Sequence, residues 1–263
     1  MIELVLVGIG TGNPDHLTRE ASRAIRHADL ILVPLKGGER GSLAALRQRI
    51  IAAETDMALA ESESTPGTPS PVVVEFPMPD RDPSISDYRE RVDQWHAGIA
   101  TVWEDTIRQH VGAMSSATVA LLIWGDPSLY DSSLRITERL KSRLPLSCRV
   151  IPGITAIQAL CAAHAIPLNT VGAPVHVTTG RRLARTGWPA DVDTVVVMLD
   201  GNCAFTTLDM PDVHIWWGAY VAMEEEILIS GPLHAVAREI VDTRARAREV
   251  QGWIMDIYLL RRG

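Results

Sequence analysis

The stretch Val7-Gly8-Ile9-Gly10-Thr11-Gly12-Asn13-Pro14 decides the fold of this chain of 263 residues. It begins at the end of the apolar run Leu4–Val7, which predicts a short buried β-strand that stops at closely spaced glycines. Thr18 can then cap a helix, and the next apolar run, Leu30–Leu35, predicts a second strand. A wholly apolar strand that follows a helix is typical of a parallel sheet covered by helices on both faces, so we expect an α/β fold.

Two further glycine-bearing loops follow apolar strands in the first half of the chain. Trp124-Gly125-Asp126-Pro127 comes directly after Val119–Ile123, and Pro152-Gly153-Ile154-Thr155-Ala156 comes after Arg149–Ile151. The carboxyl ends of parallel strands meet at one edge of a sheet, and ligands bind at that edge. Glycine there lets backbone approach a ligand closely, although it is also ordinary turn punctuation. Together the three loops predict a ligand site at the carboxyl edge.

The connections between these strands are predicted to be helical with one flexible excursion. The sequence predicts helices at residues 43–53 and 132–143. It predicts a loop at Ser62–Pro71, which is rich in Ser, Thr, Pro and Gly. A long amphipathic helix is expected from near Ser84 or Ser86 to Ile107.

In the second half of the chain, predicted strands follow one another with few helices between them. Only residues 232–241, which start with Pro232, show clear helical spacing, and consecutive strands without helices imply antiparallel pairing. The strand candidates are Val175–Thr178, Thr194–Leu199, Val213–Trp217, Glu226–Ile229 and Trp253–Leu260. We therefore expect two α/β domains, an N-terminal open parallel sheet at residues 1–154 and a C-terminal mixed sheet at residues 155–263.

Composition excludes several function classes. Hydrophobic residues make up 46% of the chain, which is enough for a core, and the net charge of −7 argues against nucleic-acid binding. No apolar run is long enough to span a membrane, and no basic segment precedes the run Ile2–Val7, so we expect a cytoplasmic protein without a secretory signal. Cys148, Cys161 and Cys203 are widely spaced and are interpreted as reduced thiols, with no metal set.

The glycines of the first loop do not fit the dinucleotide-binding fingerprint. That fingerprint, GxGxxG, would need its third glycine at the position of Asn13. It also needs an acidic residue at the end of the second strand, where Val33 and Pro34 stand. A nicotinamide or flavin enzyme is therefore disfavoured.

Five motifs in order resemble the tetrapyrrole (corrin/porphyrin) methylase family over almost the whole chain. They are Val7–Pro14 with Leu17-Thr18 and Ala28-Asp29, Gly125-Asp126-Pro127, Val150–Ala156, Ile166-Pro167-Leu168 and Thr194–Leu199. The resemblance implies methyl transfer from S-adenosylmethionine, with S-adenosylhomocysteine as product and the cofactor held in a cleft between the two domains. Val33–Gly38, the Trp-rich stretch Tyr88–Ile107 and Met198–Asn202 are most similar to the branch that methylates precorrin-5 at C-1 and releases acetate.

The resemblance also implies which residues hold the cofactor. Asp126 can accept a charge-assisted hydrogen bond from the methionyl ammonium, although a cap or turn residue before Pro127 is the alternative. Thr11 stands where the family usually has a proline, and Leu199 stands where relatives often have Met. The full implied set is Gly10, Thr11, Trp124, Gly125, Asp126, Leu129, Thr155, Ala156, Leu199 and Tyr220.

The implied substrate is a tetrapyrrole with many carboxylates, so an acidic protein must concentrate cations near the site. Lys36, Arg40 and Arg135 are the expected substrate-binding residues, although each can be an ordinary surface charge. No catalytic residue is assigned; Asp15 and His16 are the nearest candidates for a base. A homodimer is expected from the resemblance. The alternatives are a methylase for another precorrin or for uroporphyrinogen, and a catalytically silent tetrapyrrole carrier.

Overall fold

The chain divides into two compact units. A computed structural model describes residues 1–35, 43–62, 70–112 and 116–263, with the backbone alone for 57–62. Unit 1 contains Met1–Gly10 and Pro14–Ile154, and unit 2 contains Thr11–Asn13 and Thr155–Gly263. The domain boundary at residue 154 stays a prediction, because compactness alone does not show that either part folds independently.

Unit 1 contains a five-stranded sheet in which all neighbouring strands are parallel, which confirms the predicted open parallel sheet. The strands are β1 (Ile2–Gly8), β2 (Leu30–Leu35), β3 (Val72–Pro77), β4 (Ala117–Ile123) and β5 (Leu146–Ile151). Their order is β3-β2-β4-β1-β5, which places the strands of the three glycine loops side by side. The carboxyl ends of β1, β4 and β5 are therefore neighbours.

Helices follow the strands of unit 1 as the spacing predicts. They are α1 (Arg19–Arg26), α2 (Leu43–Ser62), α3 (Tyr88–Val111) and α4 (Ser133–Lys141). Thr18 caps α1, because its Oγ1 accepts the N–H of Ala21 at 3.0 Å. Leu4 and Leu6 pack into the core beneath α3 and α4, and the alternation of side chains along β1 turns Val5 to the opposite face. That face is covered by α1 and α2, which contact β1 and β2.

The strand β3 was not predicted, because three prolines at 77–83 made the region read as a connection. Val72, Val73 and Val74 are β-branched and favour an extended backbone. β3 pairs with β2 alone, so it is an edge strand, where flanking prolines are tolerated. The loop predicted at Ser62–Pro71 lies mostly outside the described residues, and Ser62 is the last residue of α2.

Unit 2 contains the predicted mixed sheet. Its strands are β6 (Val175–Thr179), β7 (Thr194–Met198), β8 (Val213–Ala219), β9 (Ile227–Pro232) and β10 (Asp256–Arg262), in the order β6-β7-β10-β8-β9. The helices are α5 (Ala156–Ala163), α6 (Gly180–Thr186) and α7 (Leu233–Gln251). β6 and β7 are parallel, contrary to the expected antiparallel succession, because the short helix α6 connects them. α6 was missed because seven residues carry too little periodicity.

Candidate functional site

The three glycine loops of unit 1 meet at the carboxyl edge of its sheet. Gly10 and Gly125 exchange backbone hydrogen bonds, with N···O distances of 2.7 and 3.3 Å. A Cβ at Gly153 would lie 2.2 Å from the carbonyl oxygen of Gly125, and a Cβ at Gly8 would lie 2.6 Å from the nitrogen of Gly153. Gly8 and Gly153 are therefore glycine because backbone packs against backbone here. The edge is a tightly built frame rather than a set of flexible turns.

Asp126 ties two of these loops together. Its Oδ1 accepts the N–H of Ser128 at 2.8 Å and the Ser128 hydroxyl, and its Oδ2 accepts the N–H of Gly153 at 2.9 Å. Burial by itself would raise the pKa of Asp126, but these hydrogen bonds outweigh it and hold the pKa below its ordinary value. The carboxylate is ionised at neutral pH and can still accept a further hydrogen bond through its remaining lone pairs. Asp126 therefore has the turn role considered in the sequence analysis, and its role toward the cofactor stays a prediction.

Two buried polar atoms at this edge have no hydrogen-bond partner among the described residues. They are the indole Nε1 of Trp124 and the ring Nδ1 of His16. Buried polar atoms are nearly always paired, so a sheet edge that leaves two of them unpaired is suited to a ligand that pairs with them. The sequence analysis considers His16 only as a candidate base. A Cβ built on Gly10 would lie 3.2 Å from the Cβ of His16, so His16 packs against the first glycine loop.

The remaining unit 1 residues of the prediction have mixed positions. Leu129 is half-buried, and its N–H donates to the Asp126 carbonyl at 3.2 Å. Arg135 is exposed on the first turn of α4 and donates to the Asp131 carbonyl at 3.0 Å. Lys36 and Arg40 lie outside the described residues, so the structure does not bear on them.

In unit 2, Thr155 and Ala156 begin α5, as the resemblance implies. Thr155 forms a capping box with Gln158: its Oγ1 accepts from the helix, and its N–H donates to Gln158 Oε1 at 3.0 Å. Thr11 also belongs to this unit, and its buried Oγ1 has no partner among the described residues. Thr11 therefore offers an unpaired hydroxyl where the family usually places a proline.

Leu199 is held in an unusual conformation at the end of β7. Its φ is +52°, in the left-handed region that costs a non-glycine residue roughly 1–2 kcal/mol, and its side chain is 65% exposed. The next residue, Asp200, anchors it: Asp200 accepts from the N–H groups of Asn202 at 2.9 Å and Ala204 at 2.6 Å. A strained backbone that its surroundings enforce is a mark of functional loops, which supports the predicted role of Leu199.

Tyr220 has a structural role in unit 2. The residue is 1% exposed, its phenol is within 2.6 Å of the Trp253 carbonyl, and its ring packs edge-on against Trp253. Its N–H donates to Met255 and its carbonyl accepts from Met223. The assignment of Tyr220 to the cofactor stays a prediction that this buried position does not support, since all of its polar groups are engaged.

The described ranges contain neither a metal-ligand cluster nor a membrane-spanning helix. No cluster of three or more metal-ligating side chains occurs there. None of the helices in the same ranges is both long and apolar enough to cross a membrane.

Comparisons with known proteins identify the family. A sequence model of the tetrapyrrole (corrin/porphyrin) methylases matches residues 3–237. A precorrin-6A synthase (deacetylating) of Sinorhizobium sp. is 45% identical over 265 residues, covering 100% of this chain and 96% of the relative. The crystal structure of a cobalamin synthesis related protein, CobF, from Corynebacterium diphtheriae is 36% identical with a TM-score of 0.77, covering 100% of this chain and 99% of that one.

A more distant structure shares the fold. Uroporphyrin-III C-methyltransferase from Thermus thermophilus, crystallised with S-adenosyl homocysteine, has a TM-score of 0.57 at 18% identity, covering 98% of this chain and 92% of its own. The sequence match over most of the chain and the full-length relative agree with the ordered glycine-loop motifs. This chain belongs to the tetrapyrrole (corrin/porphyrin) methylases.

Proposed function

We propose that this protein is an S-adenosylmethionine-dependent C-methyltransferase of cobalamin biosynthesis that methylates precorrin-5 at C-1 and releases acetate, giving precorrin-6A. The observation that carries the proposal is the 45% identity to a precorrin-6A synthase (deacetylating) across the full length of this chain. The match extends over both units of the chain. The glycine loops of unit 1 support the proposal, because their unpaired polar atoms suit a polar ligand.

The described residues fit S-adenosylmethionine on chemical grounds. An ionised carboxylate at Asp126 suits an ammonium, and the unpaired Nε1 of Trp124 and Oγ1 of Thr11 offer donors to a carboxylate or a ribose. The residues proposed to hold the cofactor are Gly10, Thr11, Trp124, Gly125, Asp126, Leu129, Thr155, Ala156, Leu199 and, least supported, Tyr220. Lys36, Arg40 and Arg135 are proposed to bind the substrate.

The protein's contribution to methylation is mainly alignment. When bound, S-adenosylmethionine supplies an electrophilic methyl group, and S-adenosylhomocysteine is the product. The rigid frame of Gly8, Gly125 and Gly153 holds the loop backbones in one geometry, which favours a direct displacement without a covalent enzyme intermediate. Acetate release is a hydrolysis: water adds to the acetyl carbonyl, and the bond from that carbon to the macrocycle breaks. The electron pair of that bond stays on the macrocycle carbon, which then bonds to a proton or to the transferred methyl group. This step needs a base, and none is assigned.

The test is product analysis with precorrin-5. Purified protein given precorrin-5 and S-adenosylmethionine should form S-adenosylhomocysteine and acetate in equal amounts, followed by mass spectrometry. Water labelled with oxygen-18 should label the acetate, because the second acetate oxygen comes from water. No acetate should form without the cofactor if methylation primes the bond for cleavage.

Other results would redirect the proposal. Methylation without acetate would refute the deacetylating reaction. Turnover of another precorrin or of uroporphyrinogen alone would show that the protein methylates that tetrapyrrole instead. A silent carrier would bind tetrapyrrole without binding S-adenosylmethionine in calorimetry.

We also propose a cytoplasmic homodimer that binds neither nucleic acid nor membranes. The net charge of −7 supports weak affinity for nucleic acid, because polyanions repel acidic surfaces. Light scattering after size exclusion should give twice the mass of the chain, and cell fractionation should recover the protein with cytosolic markers.

A further inference from the structure

Arg47 lies on the buried face of α2. Ile50 and Ile51 follow it by three and four residues, so they share its helix face, and both are almost fully buried. The other charged residue of this face, Glu54, is paired with Arg26 at 2.8 Å. Arg47 makes no ion pair with any carboxylate in the described part of the chain, so a cation occupies a position that the helix pattern reserves for apolar side chains.

The contacts of Arg47 place it at the end of β4, beside the second glycine loop. Its Nε donates to the carbonyl oxygen of Leu122 at 3.1 Å. The next carbonyl, of Ile123, accepts from Ile9 of the first glycine loop at 2.9 Å, and successive carbonyls of a strand point in opposite directions. The Leu122 carbonyl therefore points toward β2, beyond the last pairing of β2 with β4 at Leu121. Arg47 satisfies a carbonyl that the sheet leaves open.

Only one of the five guanidinium N–H groups is used in this way. The guanidinium carbon also lies 5.1 Å from the centroid of the Trp124 ring, which is the indole with the unpaired Nε1. Among the described residues, Leu122 alone accepts a hydrogen bond from Arg47, so Nη1 and Nη2 have no acceptor there. Two parallel donors of an arginine match the two oxygens of a carboxylate.

No carboxylate of the described residues forms an ion pair with this cation. Burial lowers the pKa of Arg47 to about 10, although Asp131 opposes the shift, so the group is still charged at neutral pH. Asp131 is not ion-paired with it, and one of its carboxylate oxygens accepts the N–H of Ser133 at 2.6 Å. A partly desolvated cation without a paired anion is costly, and an arriving anion offsets that cost.

We propose that Arg47 binds a carboxylate of the tetrapyrrole substrate with its terminal nitrogens while its Nε stays on Leu122. This rests on the proposed function, which supplies a polycarboxylate substrate. The cofactor also has a carboxylate, so the test must separate the two sources. Arg47, on α2, would then be a substrate-binding residue additional to Lys36, Arg40 and Arg135.

The experiment compares Arg47→Gln with Arg47→Lys and with Arg49→Gln. Glutamine keeps an N–H that can reach the Leu122 carbonyl but has no charge, so it separates the structural role from anion binding. Arg49 is exposed on the same helix and serves as the matched control. We measure KM and kcat with precorrin-5, the Kd of S-adenosylmethionine by calorimetry, and the Kd of uroporphyrin III, a porphyrin with eight carboxylates, by fluorescence.

Arg47→Gln should raise the KM for precorrin-5 and the Kd for uroporphyrin III about tenfold or more, in line with the loss of a charged hydrogen bond. Its affinity for S-adenosylmethionine should be unchanged, and the salt dependence of porphyrin binding should flatten. Arg47→Lys should recover part of the lost tetrapyrrole affinity, because lysine restores the positive charge but lacks the two parallel donors of the guanidinium. Arg49→Gln should match the wild type.

Three results would overturn the inference: unchanged tetrapyrrole affinity in Arg47→Gln, equal losses in Arg47→Gln and Arg49→Gln, or a loss confined to S-adenosylmethionine. Uroporphyrin binding does not depend on turnover. If the wild type binds it but does not methylate precorrin-5, the proposed function fails while a tenfold loss in Arg47→Gln still supports Arg47. If the wild type binds no tetrapyrrole, both fail.

Discussion

Two aspartates that follow central strands have contrasting surroundings. Asp126, after β4 in unit 1, accepts from Ser128 and Gly153, and its loop contains the unpaired Nε1 of Trp124. Asp200, after β7 in unit 2, accepts from the N–H groups of Asn202 and Ala204 and from the Tyr258 hydroxyl at 2.7 Å. Within the described residues, the Asp126 loop leaves one buried polar atom, Trp124 Nε1, without a hydrogen-bond partner, whereas both carboxylate oxygens of Asp200 accept hydrogen bonds.

The difference indicates that the two loops have different roles. Arg244 extends the Asp200 cluster, because it donates to the Asp200 carbonyl at 2.8 Å and pairs with Asp256 at 2.8 Å. Burial, with the nearby Asp200 carboxylate, raises the pKa of Tyr258 and keeps its phenol protonated as a donor. A fully connected buried network specifies one loop conformation, here the one that exposes Leu199. The Asp126 loop thus offers an unpaired polar group, whereas the polar groups around Asp200 hold their own loop in place.

The largest effect is expected from Asp200→Ala. The change leaves the buried Ala204 N–H and Tyr258 hydroxyl without their acceptor, so the free energy of unfolding should fall by about 3–5 kcal/mol. Urea unfolding followed by circular dichroism measures this. Asp209→Ala, at an exposed position in the same unit, should cost little. Comparable stability of the two variants would contradict the structural role given to Asp200.

Gly153→Ala should have the next largest effect. Its new Cβ would meet the Gly125 carbonyl oxygen at 2.2 Å, so the loop backbones must move apart, at a cost of about 2–3 kcal/mol. The displacement also weakens the bond from the Gly153 N–H to Asp126, so S-adenosylmethionine affinity should fall. Gly201→Ala is the control, because nothing lies within 4 Å of a Cβ there. Thermal unfolding measures the stability of both variants, and calorimetry measures their affinity for S-adenosylmethionine. Equal values in the two variants would refute the close backbone packing at Gly153.

Asp126→Asn tests the cofactor assignment. Loss of a charged acceptor should weaken S-adenosylmethionine binding by about 1.5 kcal/mol, or roughly tenfold in Kd, measured by calorimetry. The fold should be less stable as well, because an amide cannot accept at both ends from Ser128 and Gly153. Asp105→Asn, exposed on α3, is the control. An unchanged Kd would remove Asp126 from the cofactor site and leave it a loop residue.

The lowered pKa of Asp126 also predicts how the stability of the protein changes with pH. Because the folded pKa of Asp126 lies below its ordinary value of 3.8, its ionised form stabilises the protein at neutral pH. That contribution is present above the unfolded pKa and is lost as the pH falls through the folded pKa. Acid titration of stability should therefore be flatter below about pH 4 in Asp126→Asn than in the wild type.

The smallest effect is expected from Leu199→Gly. Glycine relieves the left-handed backbone but adds unfolded-state entropy, so unfolding free energy should rise by less than about 1 kcal/mol. If Leu199 contacts the cofactor, affinity should fall at the same time. Ala222→Gly relieves a similar φ of +67° at a position with no proposed contact, so its affinity should stay unchanged. Equal affinities in the two variants would argue against Leu199 as a cofactor residue.

The sequence predicts local structure best where one signal acts alone. The bounds of β2 agree with the prediction, because Leu30–Leu35 is wholly apolar and its first four residues are buried. β3 and α6 were missed, since prolines masked an edge strand and a seven-residue helix has little periodicity. The amphipathic pattern does not identify every buried residue of α3, since the polar His96 is buried there and the aromatic Tyr88 is 48% exposed.

The sequence by itself determined the family, the parallel and mixed sheets, and the three loops at one edge, because apolar runs, glycines and their order are local features of the chain. The tertiary structure alone decided what each polar residue of those loops does. Asp126 and Asp200 look alike as acids after strands, and Arg47 and Arg49 look alike on one helix. Their roles differ because hydrogen-bond partners and burial come from residues distant in sequence, such as Gly153, Tyr258 and Leu122.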